Sequence, residues 1–124
     1  MKLSRKAFDG AVARAVRRIP PEIREHLDNA VITVQKRPSP ELLAEMGYPP
    51  GEPLLGLYYG SSLIERSCMD PLRYPDTIFI FQEPLEDLCR TMAELEEEIE
   101  ITVVHEIAHF IGMDEERLEE LGYA

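Results

Sequence analysis

The chain has 124 residues, a length typical of one domain, and its 13 basic and 24 acidic residues give a formal net charge of −11 at pH 7. This acidity argues against a nucleic-acid partner, and no apolar run approaches the roughly 18 residues that a membrane span requires. With 44% apolar residues the composition is that of a globular protein. We predict one domain over residues 1–124, with no nucleic-acid and no membrane partner.

The N-terminus is basic but lacks the apolar segment of a secretory signal peptide. We therefore expect a cytoplasmic protein of bacterial type. In that compartment Cys68 and Cys89 are expected to be reduced thiols. They could form a disulfide only if the fold brought their Cα atoms within about 7 Å.

The first half of the chain begins with an amphipathic helix, for which Ser4 is the predicted N-cap. Its arginines are interpreted as a solvated face. Two prolines end this helix, and later prolines and glycines indicate a long loop. The predicted elements are a helix over 4–18, a short helix over 22–27, a buried strand over 30–34, and a loop over 37–53 with a helical turn at 41–46.

The second half contains a β-branched and aromatic segment that is typical of a strand, followed by helical patterns up to the C-terminus. The predicted elements are a strand over 54–60, a possible paired strand over 61–66, a loop over 67–75, a strand over 77–81, a short helix over 83–89, a long helix over 93–111 and a last helix from 114 or 115 to 121. This order predicts an α+β fold, with a small β-sheet packed on the N-terminal helix and the long helix.

The long helix carries the pattern H-E-x-x-H at His105, Glu106 and His109. At 100° per residue these side chains and Thr102 fall within one sector about 100° wide. The remaining positions of the segment from 99 to 111 are almost all apolar, which predicts a helix buried nearly all round. Two histidines and a carboxylate are costly in such a helix unless a partner satisfies them, and a metal ion would do so.

The spacing suits zinc. His105 and His109 lie one turn apart on one helix face, so two imidazoles can reach one Zn²⁺ at about 2.0–2.1 Å. Glu106 is offset to the side, where it can act as the general base on a metal-bound water. A chance match or a hydrogen-bonded core pair is the alternative. The apolar character of the helix and the presence of Gly112 three residues after His109 favour the metal site.

The chain resembles a family of small bacterial zincin-like metallopeptidases with the pattern H-E-x-x-H-x-x-G-x-x-D. The resemblance rests on the segment 105–112, and on weaker matches at 19–22, 27–29, 57–60 and 75–78. It implies a minimal zincin fold with a few strands over the active-site helix. The aspartate of the pattern is replaced here by Glu115, with Asp114 just before it. Gly112 can turn the chain back toward the metal, and we favour Glu115 as the third ligand, with Asp114 as the alternative.

The first functional hypothesis is a Zn²⁺-dependent peptidase acting on a peptide or protein substrate, with Glu106 as general base. An extended substrate would add to an exposed sheet edge, for which we predict Thr77, Ile78, Phe79, Ile80 and Phe81. Oxyanion stabilisation needs a donor, and the sequence does not choose among Tyr58, Tyr59, Tyr74 and Tyr123. The alternative is a non-enzymatic zinc-binding or interaction module, which a fourth protein ligand such as Cys68 or His26 would favour.

Overall fold

Among the residues that the structure describes, three strands form a mixed sheet in the order β1-β3-β2. The structure is a computed structural model, and it describes residues 1–49, 53–60 and 76–123. The strands are β1 Ala30–Gln35, β2 Gly56–Tyr59 and β3 Asp76–Phe81. The helices in these described ranges are α1 Arg5–Arg17, α2 Pro21–Arg24, a 3-10 turn Glu25–Asn29, α3 Pro40–Glu45, α4 Gln82–Leu88, α5 Met92–Ile111 and α6 Glu115–Glu120.

The central strand of the described sheet is β3. It pairs in parallel with β1, where Ala30 lies opposite Asp76, and antiparallel with β2, where Gly56 lies opposite Ile80. The prediction that this strand offers an exposed edge is wrong, because its backbone groups are engaged on both sides. The residues predicted to form this exposed edge are Thr77, Ile78, Phe79, Ile80 and Phe81, and they lie in the central strand instead.

The predicted α+β arrangement is confirmed, because α1 and α5 pack together and cover one face of the sheet. Phe8 of α1, Ile99 and Val103 of α5, and Ile78 and Ile80 of β3 are completely buried in one cluster. Each buried branched or aromatic side chain contributes about 1.5–3 kcal/mol relative to an exposed one. This core therefore fixes the long helix beneath the strands.

Charge pairing also joins the two long helices. Arg14 Nε lies 3.2 Å from Glu96 Oε2, and Arg18 Nε lies 3.0 Å from Glu100 Oε1. The carboxylate side chains are only 15% and 18% exposed. Arg14 and Arg18 are 47% and 48% exposed, so the arginines of α1 remain on a solvated face. The acidic turns of α5 lie against this face and are largely covered at Glu96 and Glu100.

The predicted helix ends agree with the structure. The Ser4 hydroxyl oxygen accepts a hydrogen bond from the Ala7 N–H, and Thr91 caps α5 in the same way through the Glu94 N–H. Gly112 ends α5 in the left-handed region with φ of +75°, which only glycine adopts without strain. The chain is thereby turned sharply between α5 and α6.

One predicted strand is less buried than expected. Val31 in β1 is 47% exposed, because β1 lies at the border of the described sheet rather than inside it. The possible strand at 61–66 and the loop at 67–75 lie outside the described residues.

Across the part of the chain that the structure describes, every helix is too short or too polar to cross a membrane. Cytoplasmic location and a single domain over residues 1–124 stay predictions.

Candidate metal centre

The H-E-x-x-H residues occupy the C-terminal half of α5, on its face toward β2 and the C-terminus. His105 and Glu106 are half-buried and His109 is exposed. The two imidazole rings have centroids 6.5 Å apart and are tilted by 39°. The predicted juxtaposition of the two histidines with the glutamate is therefore present on one side of the helix.

His105 faces the C-terminal segment. Its Nε2 lies 2.5 Å from the carbonyl oxygen of Tyr123. Because a carbonyl oxygen only accepts hydrogen bonds, Nε2 carries the proton in this contact. This ring nitrogen is therefore hydrogen-bonded to the backbone of the C-terminal segment.

Glu106 is held by the backbone of β2. The Tyr58 N–H donates to Glu106 Oε1 at 2.9 Å. Burial raises the pKa of this carboxyl group above its ordinary value, and the Tyr58 hydrogen bond and the charges of His109 and His105 oppose that rise. The glutamate thus sits in a desolvated position with one oxygen fixed.

The close approach of β2 to α5 depends on Gly56. A Cβ atom at this position would lie only 2.6 Å from Thr102 Cγ2 and 3.0 Å from the Phe79 carbonyl oxygen. Thr102 itself is 9% exposed. The absence of a side chain at position 56 therefore lets the strand lie directly on the helix, one turn before His105 and Glu106.

The side chain of Tyr58 is also engaged. Its hydroxyl donates to Asp76 Oδ2 at 2.7 Å, and its ring stacks on Phe110 with centroids 4.0 Å apart and an interplanar angle of 17°. Asp76 is only 8% exposed. Sequence reasoning did not assign a role to Asp76, although the segments 57–60 and 75–78 that contain these residues both contributed to the family resemblance.

The expectation of a helix buried nearly all round fails at its C-terminal end. Phe110 is 54% exposed and Ile111 is 36% exposed. They lie on the last turn of α5, where Tyr58 of β2 stacks on one face of the Phe110 ring, so the apolar pattern continues beyond the fully buried core. An exposed apolar surface is thus left beside His109 and Glu106.

The candidate third ligands do not join the histidines. Within residues 1–49, 53–60 and 76–123, no group of three or more His, Cys, Asp or Glu side chains is arranged to hold a metal ion. Asp114 caps α6, where its Oδ1 accepts from the Arg117 N–H at 2.8 Å. Glu115 is exposed in the first turn of the same helix. The identity of the third ligand stays a prediction.

The tyrosines considered for oxyanion stabilisation differ in their surroundings. The Tyr58 hydroxyl donates to Asp76, and the Tyr123 hydroxyl donates to Glu100 at 2.6 Å. Tyr59 packs edge-on against Phe79. Tyr74 lies outside the described residues.

Neither His26 nor Cys89 belongs to a group of three or more potential metal ligands among the described residues. His26 lies in the 3-10 turn with its Nε2 4.0 Å from Glu25 Oε1. Cys89 is buried and is a free thiol, whereas Cys68 lies outside the described residues.

Fold and site together define a small α+β protein in which an H-E-x-x-H helix lies beneath a short sheet. A sequence profile of the family described as zincin-like metallopeptidase matches residues 27–123. The chain belongs to this family. No curated protein matches the sequence significantly.

The fold is similar to that of a solved structure. It is a conserved hypothetical protein from Thermo thermophilus, 19% identical, with a TM-score of 0.53 over 88% of this chain and 94% of that chain. At this identity the likeness concerns the fold alone. The predicted minimal zincin-like fold is therefore confirmed by the family match and by the arrangement of helices and strands.

Proposed function

We propose that this protein is a zinc-dependent peptidase whose chemistry is centred on α5. The observation that carries the proposal is the position of Glu106. It lies between two histidines on one helix side, it is half-buried, and its Oε1 accepts from the Tyr58 N–H at 2.9 Å. Membership in the zincin-like metallopeptidase family supports the same function.

His105 and His109 are suited to zinc by type and spacing. With Zn–N bonds of about 2.0–2.1 Å, a ring centroid lies roughly 3.2 Å from the ion, and tetrahedral coordination brings two centroids to about 5 Å. The observed separation is 6.5 Å, so a modest side-chain rotation is required. Because the His109 side chain is exposed, this rotation costs little free energy.

We propose Glu115 as the third ligand, with Asp114 as the alternative. Asp114 already serves as the N-cap of α6 through the Arg117 N–H, and loss of such a cap costs about 1 kcal/mol. Glu115 has no such capping role and is exposed. Both follow Gly112, where the chain turns after the second histidine.

The bound zinc would supply a Lewis acid that polarises a peptide carbonyl and makes water more acidic. Glu106 accepts the proton of the attacking water and passes it to the nitrogen of the leaving amine. The Tyr58 N–H holds Oε1, so Oε2 is the oxygen that receives the proton. His105 and His109 hold the ion and take no proton in this scheme.

An extended substrate would lie along β2, not along β3 as the sequence predicted. Of the described strands, β2 is the one that both borders the sheet and touches Glu106. The exposed Phe110 and Ile111 next to it favour an apolar side chain in the bound peptide.

The test is Glu106→Gln, which keeps the size of the side chain and removes the base. We expect hydrolysis of dye-quenched casein to fall by about 100-fold or more, with zinc content unchanged. Glu97→Gln on an exposed turn of the same helix is the matched control and should keep full activity. Hydrolysis that persists in Glu106→Gln would contradict the mechanism.

A non-enzymatic zinc-binding or interaction module, inactive alone or dependent on a partner to complete its cleft, is the second candidate. In that case a fourth protein ligand such as Cys68 or His26 would close the coordination sphere. Cobalt substitution distinguishes the two, because a cysteine thiolate ligand gives an intense charge-transfer band that should disappear in Cys68→Ser. A closed site with no hydrolysis would replace the peptidase proposal.

A further inference from the structure

Asp76 is not part of the H-E-x-x-H motif, but its buried carboxylate contacts Tyr58, which in turn contacts Glu106 of that motif. Asp76 is the first residue of β3 and is 8% exposed. Removing a carboxylate from water costs several kcal/mol unless hydrogen bonds compensate it. Its Oδ2 accepts the Tyr58 hydroxyl proton at 2.7 Å. Such a charged hydrogen bond is among the stronger ones in proteins.

Tyr58 is thereby held at three points. Its hydroxyl is bound to Asp76, its ring lies flat on Phe110, and its backbone N–H is bound to Glu106. Glu106 and Phe110 are four residues apart on α5 and so lie on one side of the helix. One residue of β2 therefore joins the buried carboxylate to the proposed general base.

Gly60 contributes the space that this arrangement needs. A Cβ atom at position 60 would lie 3.0 Å from Phe110 Cε2 and 3.4 Å from Asp76 Oδ1. A side chain there would press on both neighbours of Tyr58. The close approach of strand, aromatic ring and carboxylate therefore depends on the absence of a side chain at position 60.

We propose that Asp76 and Tyr58 are positioning residues for Glu106. The hydrogen bond from the Tyr58 hydroxyl to Asp76 anchors residue 58 of β2 to the start of β3, and this holds the strand backbone where the Tyr58 N–H reaches Glu106 Oε1. Oε2 then remains available to the reacting water. The proposal rests on the proposed peptidase function for its catalytic part, whereas the physical link between Asp76 and Glu106 does not. It also assigns the Tyr58 hydroxyl to Asp76 and not to an oxyanion.

The first experiment needs neither metal nor substrate. Amide hydrogen exchange of residue 58 is measured by NMR in the metal-free protein, relative to the amides of β3. Tyr58→Phe keeps the ring and removes the hydroxyl, and it should speed exchange at residue 58 by about tenfold, the worth of one hydrogen bond. Tyr59→Phe is the matched control, because Tyr59 packs on Phe79 instead, and it should change nothing.

Variants of Asp76 test the other end. Asp76→Asn keeps an acceptor oxygen, so the amide of residue 58 should retain most of its wild-type protection from hydrogen exchange. Asp76→Leu has no acceptor, and this protection should be lost. If Asp76→Leu does not fold, the comparison of Tyr58→Phe with Tyr59→Phe tests the proposal instead. Unchanged exchange at residue 58 in folded Tyr58→Phe would overturn the proposal.

The second experiment addresses catalysis. Tyr58→Phe should lower kcat for casein hydrolysis by about tenfold with KM and zinc affinity unchanged, and Asp76→Asn should be closer to wild type. Equal kcat in Tyr58→Phe and Tyr59→Phe would overturn the catalytic part. If the wild-type protein hydrolyses nothing while exchange at residue 58 responds as expected, the peptidase function fails and the link from Asp76 to Glu106 stands.

Discussion

Gly56→Ala tests the contact between β2 and α5 on which the site depends. The added Cβ would lie 2.6 Å from Thr102 Cγ2 and 3.0 Å from the Phe79 carbonyl oxygen. Carbon atoms normally approach to about 3.5–4.0 Å, so strand and helix must separate by roughly 1 Å. The φ of Gly56 is not positive, so the backbone itself accepts alanine and the cost comes from this overlap.

The size of the effect follows from opposing terms. Overpacking costs about 1–3 kcal/mol, and loss of the Tyr58 N–H bond to the Glu106 carboxylate adds about 1.5 kcal/mol if the strand is displaced. Reduced freedom of the unfolded chain offsets about 0.4–1 kcal/mol. We expect a net loss of about 1.5–4 kcal/mol in the free energy of unfolding.

Urea denaturation of the metal-free protein, followed by circular dichroism, measures this change. Gly10→Ala is the control, because a Cβ there would meet only the flexible end of Arg14 at 3.3 Å. It lies inside α1 and should stabilise by about 0.5–1 kcal/mol. Adding Thr102→Ser to Gly56→Ala removes the nearest methyl group and should restore part of the loss. Stability of Gly56→Ala at or above wild type would refute the described packing.

Three further predictions concern other contacts of the site and core. Because His105 Nε2 donates to the Tyr123 carbonyl, zinc binding through that nitrogen should shift the Tyr123 carbonyl-carbon resonance in NMR, and the shift should be absent in His105→Ala. Burial raises the pKa of the Cys89 thiol, with the Glu98 and Glu94 charges adding to it, so stability is full below about pH 8.5 and falls as the pH rises through the unfolded thiol's pKa. Between pH 7.5 and 9.5, the urea midpoint should fall less steeply for the double variant Cys68→Ser/Cys89→Ala than for Cys68→Ser alone. Ellman's reagent should label native Cys89 far more slowly than unfolded protein, since its side chain is 2% exposed; fast labelling would contradict the burial.

The helices were predictable because their signals are local. Ser4 caps α1 as its sequence indicates, and Gly112 adopts the left-handed conformation that ends α5. The H-E-x-x-H spacing placed His105, Glu106 and His109 on one side for the same reason, since four residues make about one turn. These outcomes depend on neighbours within a turn of helix.

The order of the strands was not predictable in this way. The segment 77–81 is typical of a strand in its composition, yet nothing within it shows that β1 and β2 flank it. Strand order depends on contacts between residues far apart in sequence. The same holds for the Tyr58 N–H on Glu106, which joins positions 48 residues apart, and for the ion pairs of Arg14 and Arg18 with α5.

Metal content of the purified protein tests the central claim most directly. Inductively coupled plasma mass spectrometry should find one zinc per chain in the wild type, and the metal should be lost in His105→Ala and in His109→Ala. His26→Ala is the matched control, because His26 lies beside Glu25 in the 3-10 turn, and it should keep its zinc. A wild-type chain that contains no metal and takes up none when zinc is added, or variants that bind zinc as the wild type does, would contradict the account.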